Sequence, residues 1–283
     1  MPTIKPVDVN DCVKFINQHR DEIVRGIYDV QIEEEWISKI GNDDLLFLAN
    51  HCGSSADTIA RNATTEDVLG AIIARSDKYL VKQYVANNKN APASILEILA
   101  KDSDYYVRKA VAVHPNTPLH SLDILARDAS WELRVEMAKK ITHRKILGVL
   151  AKDASESVRA SVARNPSTPL DIVEQLSKDS SLDVRIAIGY RSDTPVSILE
   201  GFANDAEWNM KMTIARNERV SALTLDRLAQ EPDIHIRMEV AKNPNAATNT
   251  LKRLAKDSST SIREVARQHP RFKALGFFDR WFN

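Results

Sequence analysis

The chain has 283 residues and carries 39 Lys plus Arg against 39 Asp plus Glu, so no net field draws it to nucleic acid or to an anionic membrane. Aromatic residues make up 6% and glycines number eight, a composition that suits helices joined by short turns better than a sheet protein. The two cysteines, Cys12 and Cys52, are too few for a disulfide framework or a four-thiolate metal site.

The amino-terminal stretch lacks the basic and apolar regions of a secretory signal, and no run approaches the roughly 18 apolar residues of a membrane span. A cytoplasmic protein is expected. Residues 1 to 50 follow no period. Apolar residues at 13, 16, 23, 24 and 27 predict a helix over Val13–Ile27, and Ile32–Leu48, with Trp36, Ile37 and Ile40, is also helix-like. A repeat array needs its terminal unit covered, so this segment is expected to be a helical cap.

From residue 51 to 270 the chain repeats, in degraded form to residue 80 and clearly from 81. Seven times an acidic residue precedes a basic one by six positions, at steps of 25 or 26: Asp102/Arg108, Asp128/Arg134, Asp153/Arg159, Asp179/Arg185, Asp205/Lys211, Glu231/Arg237 and Asp257/Arg263. Such a period implies stacked units, none able to bury its apolar face alone. In each unit a first helix, with Ser103 or Ser130 available as caps, stops at His-Pro or Asn-Pro, as at His114-Pro115 and Asn165-Pro166. A second helix of a turn or two, α or 3-10, is expected to open at Thr-Pro, with the threonine as N-cap (Thr117, Thr168, Thr194). Val85, Val111, Met137, Val162, Ile188, Ile214 and Val240, each followed by Ala or Gly, and Leu99, Leu125, Leu150, Leu176, Phe202, Leu228 and Leu254 read as core.

The pattern Val-Arg-x-Ala-Val-Ala-x-Asn-Pro-x-Thr-Pro followed by Leu-x-x-Leu-Ala-x-Asp resembles the variant leucine-rich repeat of bacterial proteins, itself similar to HEAT repeats. The resemblance implies a right-handed α-solenoid of two-helix repeats of about 26 residues. It also implies that the fourteen paired residues named above form a ladder of charge-assisted hydrogen bonds tying neighbouring units together. A variant-repeat relative carries an iron–sulfur cluster on an amino-terminal cysteine cluster, from which this chain departs, so no cofactor and no metal cluster are expected. HEAT-like DNA glycosylases hold a damaged nucleotide with tryptophans, arginines and a catalytic Asp; the matching slots here lack a carboxylate until Glu264. Another HEAT-like enzyme class uses His-Glu dipeptides, which do not occur in this chain. No catalytic motif is visible, and a non-enzymatic protein is expected.

Binding residues should lie where repeats depart from consensus. Arg164, Tyr190, Arg191, Arg216 and Lys242 are the candidate contacts for a protein or peptide partner on a concave face, with Glu136/Lys139 and Glu239/Lys242 cancelling as local ion pairs. Trp131 and Trp208 recur at one repeat position, which favours packing between units. The tail, residues 271–283, aligns Phe272, Leu275, Phe278 and Phe282 beside Trp281. It is expected to fold back as a cap; docking to a partner or a membrane through Phe278, Trp281 and Phe282 is the alternative.

Overall fold

The structure, a computed structural model, describes residues 2–76 and 79–275, so Phe278, Trp281 and Phe282 lie outside the described residues. The chain divides into two compact units, Met1–Lys140 and Ile141–Asn283.

In the first unit, two short strands, β1 (Thr3–Ile4) and β2 (Asp29–Val30), pair in parallel around α1 (Val9–Val24). The helix expected over Val13–Ile27 thus starts earlier, capped by Asp8, and ends before Gly26, whose φ of 73° turns the chain. Ile32–Leu48 is not one helix. A 3-10 turn at Glu34–Trp36 buries Trp36, Ile37 and Ile40, and α2 (Asn42–His51) begins only after Gly41. Asp29 ties this region down by accepting from the Ser54 amide, 3.1 Å, and from its hydroxyl.

α3 (Ala56–Asn62) and α4 (Glu66–Arg75) form the degraded repeat. Regular pairs follow: α5 (Tyr79–Asn87) with α6 (Ala93–Leu99), and α7 (Tyr105–Ala112) with α8 (Leu119–Leu125). α9 (Trp131–Lys140) closes the unit. First helices stack on first helices, α3 to α5 to α7 to α9, and second helices on second, α2 to α4 to α6.

The second unit begins with α10 (Arg144–Leu150) and contains α11 (Glu156–Arg164), α12 (Leu170–Leu176), α13 (Leu182–Gly189), α14 (Val196–Phe202), α15 (Trp208–Arg216), α16 (Ala222–Leu228), α17 (Ile234–Lys242), α18 (Thr248–Leu254), α19 (Thr260–Gln268) and α20 (Pro270–Lys273). The second helices from α6 to α18 are α-helices of seven residues, not 3-10 turns. Their leucines and the branched residues of the first helices are almost wholly buried, so each unit has a continuous apolar seam between its two helix layers. The helix leading into the tail places Phe272 in that seam at 2% exposure.

The Thr-Pro step works differently from the expectation. Pro118, Pro169 and Pro195 are themselves the N-caps of α8, α12 and α14. Each threonine turns back: Thr117, Thr168 and Thr194 donate to the carbonyls of Val111, Val162 and Ile188, all at 2.6 Å, and so cap the end of the first helix. Three first helices, α7, α9 and α17, are capped by Asp104, Ser130 and Asp233, whose side chains accept amides of the opening turn, whereas α11, α13, α15 and α19 have no side-chain cap; Ser103 takes no such part.

Candidate functional site

Two hydrogen-bond ladders hold the repeats and account for most of the polar residues that recur. In the first, the basic residue pairs with the acid twenty positions ahead, in the next repeat. Lys82 meets Asp102 (2.9 Å) and Arg108 meets Asp128 (2.6 Å) in the first unit. In the second, Arg159 meets Asp179 (2.7 Å), Arg185 Asp205 (3.4 Å), Lys211 Glu231 (2.9 Å) and Arg237 Asp257 (2.8 Å). Six positions back the arginines meet a main-chain oxygen: Arg108, Arg134, Arg159, Arg185, Arg237 and Arg263 donate to the carbonyls of Asp102, Asp128, Asp153, Asp179, Glu231 and Asp257. The acid also folds the entry to its own helix, as Asp153 and Asp179 accept the amides of Ser155 and Ser181, both at 2.8 Å. Hydrogen bonds from Arg159 and Arg237 hold the carboxyls of Asp179 and Asp257 below the usual range, and the paired guanidiniums are raised in turn.

The second ladder runs through the loops. Asn88 donates to the carbonyls of Ala60 and Ala63, and the His114 ring meets Asn88 O at 2.9 Å. Asn165 donates to Ile141 O, Asn217 to Gly189 O and Arg191 O, Asn243 to Ala215 O and Asn217 O, and His269 meets Asn243 O. Each rung thereby satisfies carbonyls that the preceding repeat leaves at its helix end. In the α9 loop the corresponding residue is Lys140, exposed, and no proline follows.

Arg191 belongs to this ladder and not to a binding surface. It is 7% exposed, donates to Ala163 O (2.8 Å) and Asn165 O (2.6 Å), and closes a bidentate pair with Asp193. Burial demands that its charge be paired, and Asp193 supplies the partner where other rungs use asparagine or histidine.

The other candidates do share a surface. Arg164, Tyr190, Arg216 and Lys242 occupy the same position at the ends of α11, α13, α15 and α17, or one residue beyond, and all are exposed. A cation at a helix C-terminus also faces the negative end of the helix dipole. Arg164 has no ion-pair partner among the described residues. Arg216 has a partner: its Nε lies 3.2 Å from Glu239 Oε2 on the neighbouring first helix. Glu239 also takes Lys242 at 3.2 Å, as Glu136 takes Lys139 at 2.8 Å. Burial pushes the Glu239 carboxyl up, but Arg216 and Lys242 outweigh it and hold it low. Beside this cluster a cleft of about 310 Å³ is lined by Gly189, Tyr190, Ser192, Arg216, Asn217, Glu218 and Arg219.

Trp131 and Trp208 are not core residues; both are 45% exposed. They are the first residues of α9 and α15. Among the described residues, no group of three or more His, Cys, Asp or Glu is placed to hold a metal ion, and no helix is long and apolar enough to cross a membrane.

Residues 157–181, one period of the array, match the family model described as leucine rich repeat variant. A solved structure described as a leucine-rich repeat variant with a novel repetitive protein structural motif superposes with a TM-score of 0.55 at 22% identity, covering 71% of this chain and 82% of that one. A comparison with curated proteins gives no match. With its paired helices, its period and its two ladders, the chain has an all-α repeat fold similar to that of the leucine-rich repeat variant structure, and one of its periods matches that family's model.

Proposed function

We propose that the chain is a non-enzymatic scaffold that binds a protein or peptide partner on the exposed ends of the first helices in its second unit. The carrying observation is that one repeat position, which the ladders do not use, presents Arg164, Tyr190, Arg216 and Lys242 at the ends of four successive first helices. Arginine and tyrosine are among the residue types enriched at protein interfaces, and a rigid array fixes their spacing before a partner arrives.

The test is affinity capture from native cytosol with the full chain and an Arg164→Glu/Arg216→Glu variant, after both are shown to unfold at the same urea concentration. A partner retained by the first and lost by the second supports the reading; a partner captured equally by both refutes it.

A further inference from the structure

We infer that the partner surface is a receptor for an extended acidic segment, and that Glu239 is a resident counter-ion which a carboxylate of that segment displaces. This rests on the proposed binding face and specifies its ligand.

Charge complementarity carries the inference. Arg164, Arg216, Arg219 and Lys242 are all exposed on this edge of α11 to α17. The deepest carboxylate among them, Glu239, has a side chain only 18% exposed, whereas those of Arg216 and Lys242 are 48% and 53% exposed. One carboxylate therefore bridges two cations whose outer faces remain in water. The Arg216 guanidinium has five N–H donors, of which Glu239 engages only part. Tyr190, 58% exposed, stands between Arg164 and Arg216 and offers a ring for the apolar part of an Asp or Glu side chain.

The cleft beside Tyr190 and Arg216 holds about 310 Å³, room for a side chain or two and not for a folded element. An extended segment laid across the helix ends would meet a cation or the tyrosine at each repeat. Glu218, also at the cleft, sets the register by repelling a ligand carboxylate placed over Asn217. A ligand carboxylate arriving at Arg216 competes with Glu239, so the free site is self-neutralised and opens only to a segment carrying several charges.

Fluorescence anisotropy on the full chain tests this with three labelled probes of equal length: an Asp/Glu-rich peptide, a Lys-rich peptide and a single-stranded oligonucleotide. The acidic peptide is expected to bind, more weakly as salt rises. Arg164→Gln and Arg216→Gln should each weaken it by up to about fivefold, the ceiling for one exposed ion pair. Glu239→Gln, which removes the competing charge and keeps the side-chain shape, should tighten it by up to about fivefold. Arg144→Gln, on α10 and paired with Asp171, should change nothing.

Unchanged or weaker binding by the Glu239→Gln variant overturns the counter-ion role. A weakening by Arg144→Gln equal to that by Arg216→Gln, or an oligonucleotide that outcompetes the peptide, overturns the acidic-segment assignment. If the acidic peptide fails to bind while partner capture still depends on Arg164 and Arg216, this inference falls and the scaffold reading stands.

Discussion

Replacing Asn243 by alanine should remove one rung of the loop ladder and cost about 3 kcal/mol. Asn243 is 3% exposed. Its amide donates to Ala215 O at 2.8 Å and Asn217 O at 3.0 Å, and its oxygen accepts the Asn245 amide at 2.9 Å. Alanine fills none of these roles, and the bond to Ala215 O is buried. Each hydrogen bond contributes about 1 kcal/mol net, and a buried group left unsatisfied costs about 1–3 kcal/mol, so two carbonyls and one amide give roughly 3 kcal/mol. Histidine is the informative control, because His114 and His269 hold the same rung with one ring nitrogen facing a carbonyl and the other accepting the amide two residues on. Asn243→His should lose one bond, about 1 kcal/mol. The assay is urea unfolding followed by circular dichroism, joined by native-state hydrogen exchange of the Asn243–Ala246 loop, since a repeat array can open locally. An alanine variant within about 0.5 kcal/mol of wild type, or a histidine variant less stable than alanine, would refute the reasoning.

Three further outcomes follow from the packing and the titrations. A Cβ on Gly189 would lie 2.8 Å from the Thr213 methyl, so Gly189→Ala should lose about 1 kcal/mol net of its helix-propensity gain, and adding Thr213→Ser should restore it in a double-mutant cycle. Burial, reinforced by Arg271, lowers the His269 pKa below its ordinary 6.5. The unfolded chain then takes the proton first, and stability should fall as pH drops from 6.5 through the folded value, a slope that His269→Asn should lessen in pH-dependent urea titrations. Cys12 and Cys52 have pKa values pushed up to about 11 by burial, so both thiols should resist a disulfide reagent at neutral pH until urea unfolds the first unit; stoichiometric labelling of the native chain would contradict their placement.

The array was legible because its information is periodic. The branched, small and leucine positions recur with the helical spacing, and the structure buries them. The wiring of the acid–base ladder was not legible, for a geometric reason: a pair six apart within a repeat is also a pair twenty apart between repeats, and the pattern alone cannot say which distance closes. Arg191 was misplaced through its neighbour Tyr190, although its register with Asn165 and Asn217 carried the signal of a loop rung. Trp131 and Trp208 recur as core residues do, yet each opens its helix and is exposed. The amino-terminal region has no period to read, and strands of two residues leave no alternation in a sequence.

The loop ladder points one way. Each rung spends its donor on the repeat before it and leaves its own carbonyl for the repeat after it, so every regular loop presents the same socket and the same plug. Excising residues 217–242 would bring Asn243 to the carbonyls of Gly189 and Arg191 that Asn217 now holds. A chain wired in this way can lengthen or shorten by duplication or loss of whole periods, with neither flank having to adapt. Among the described residues, the 25-residue step after α9, where Lys140 stands in place of a rung, falls outside that grammar.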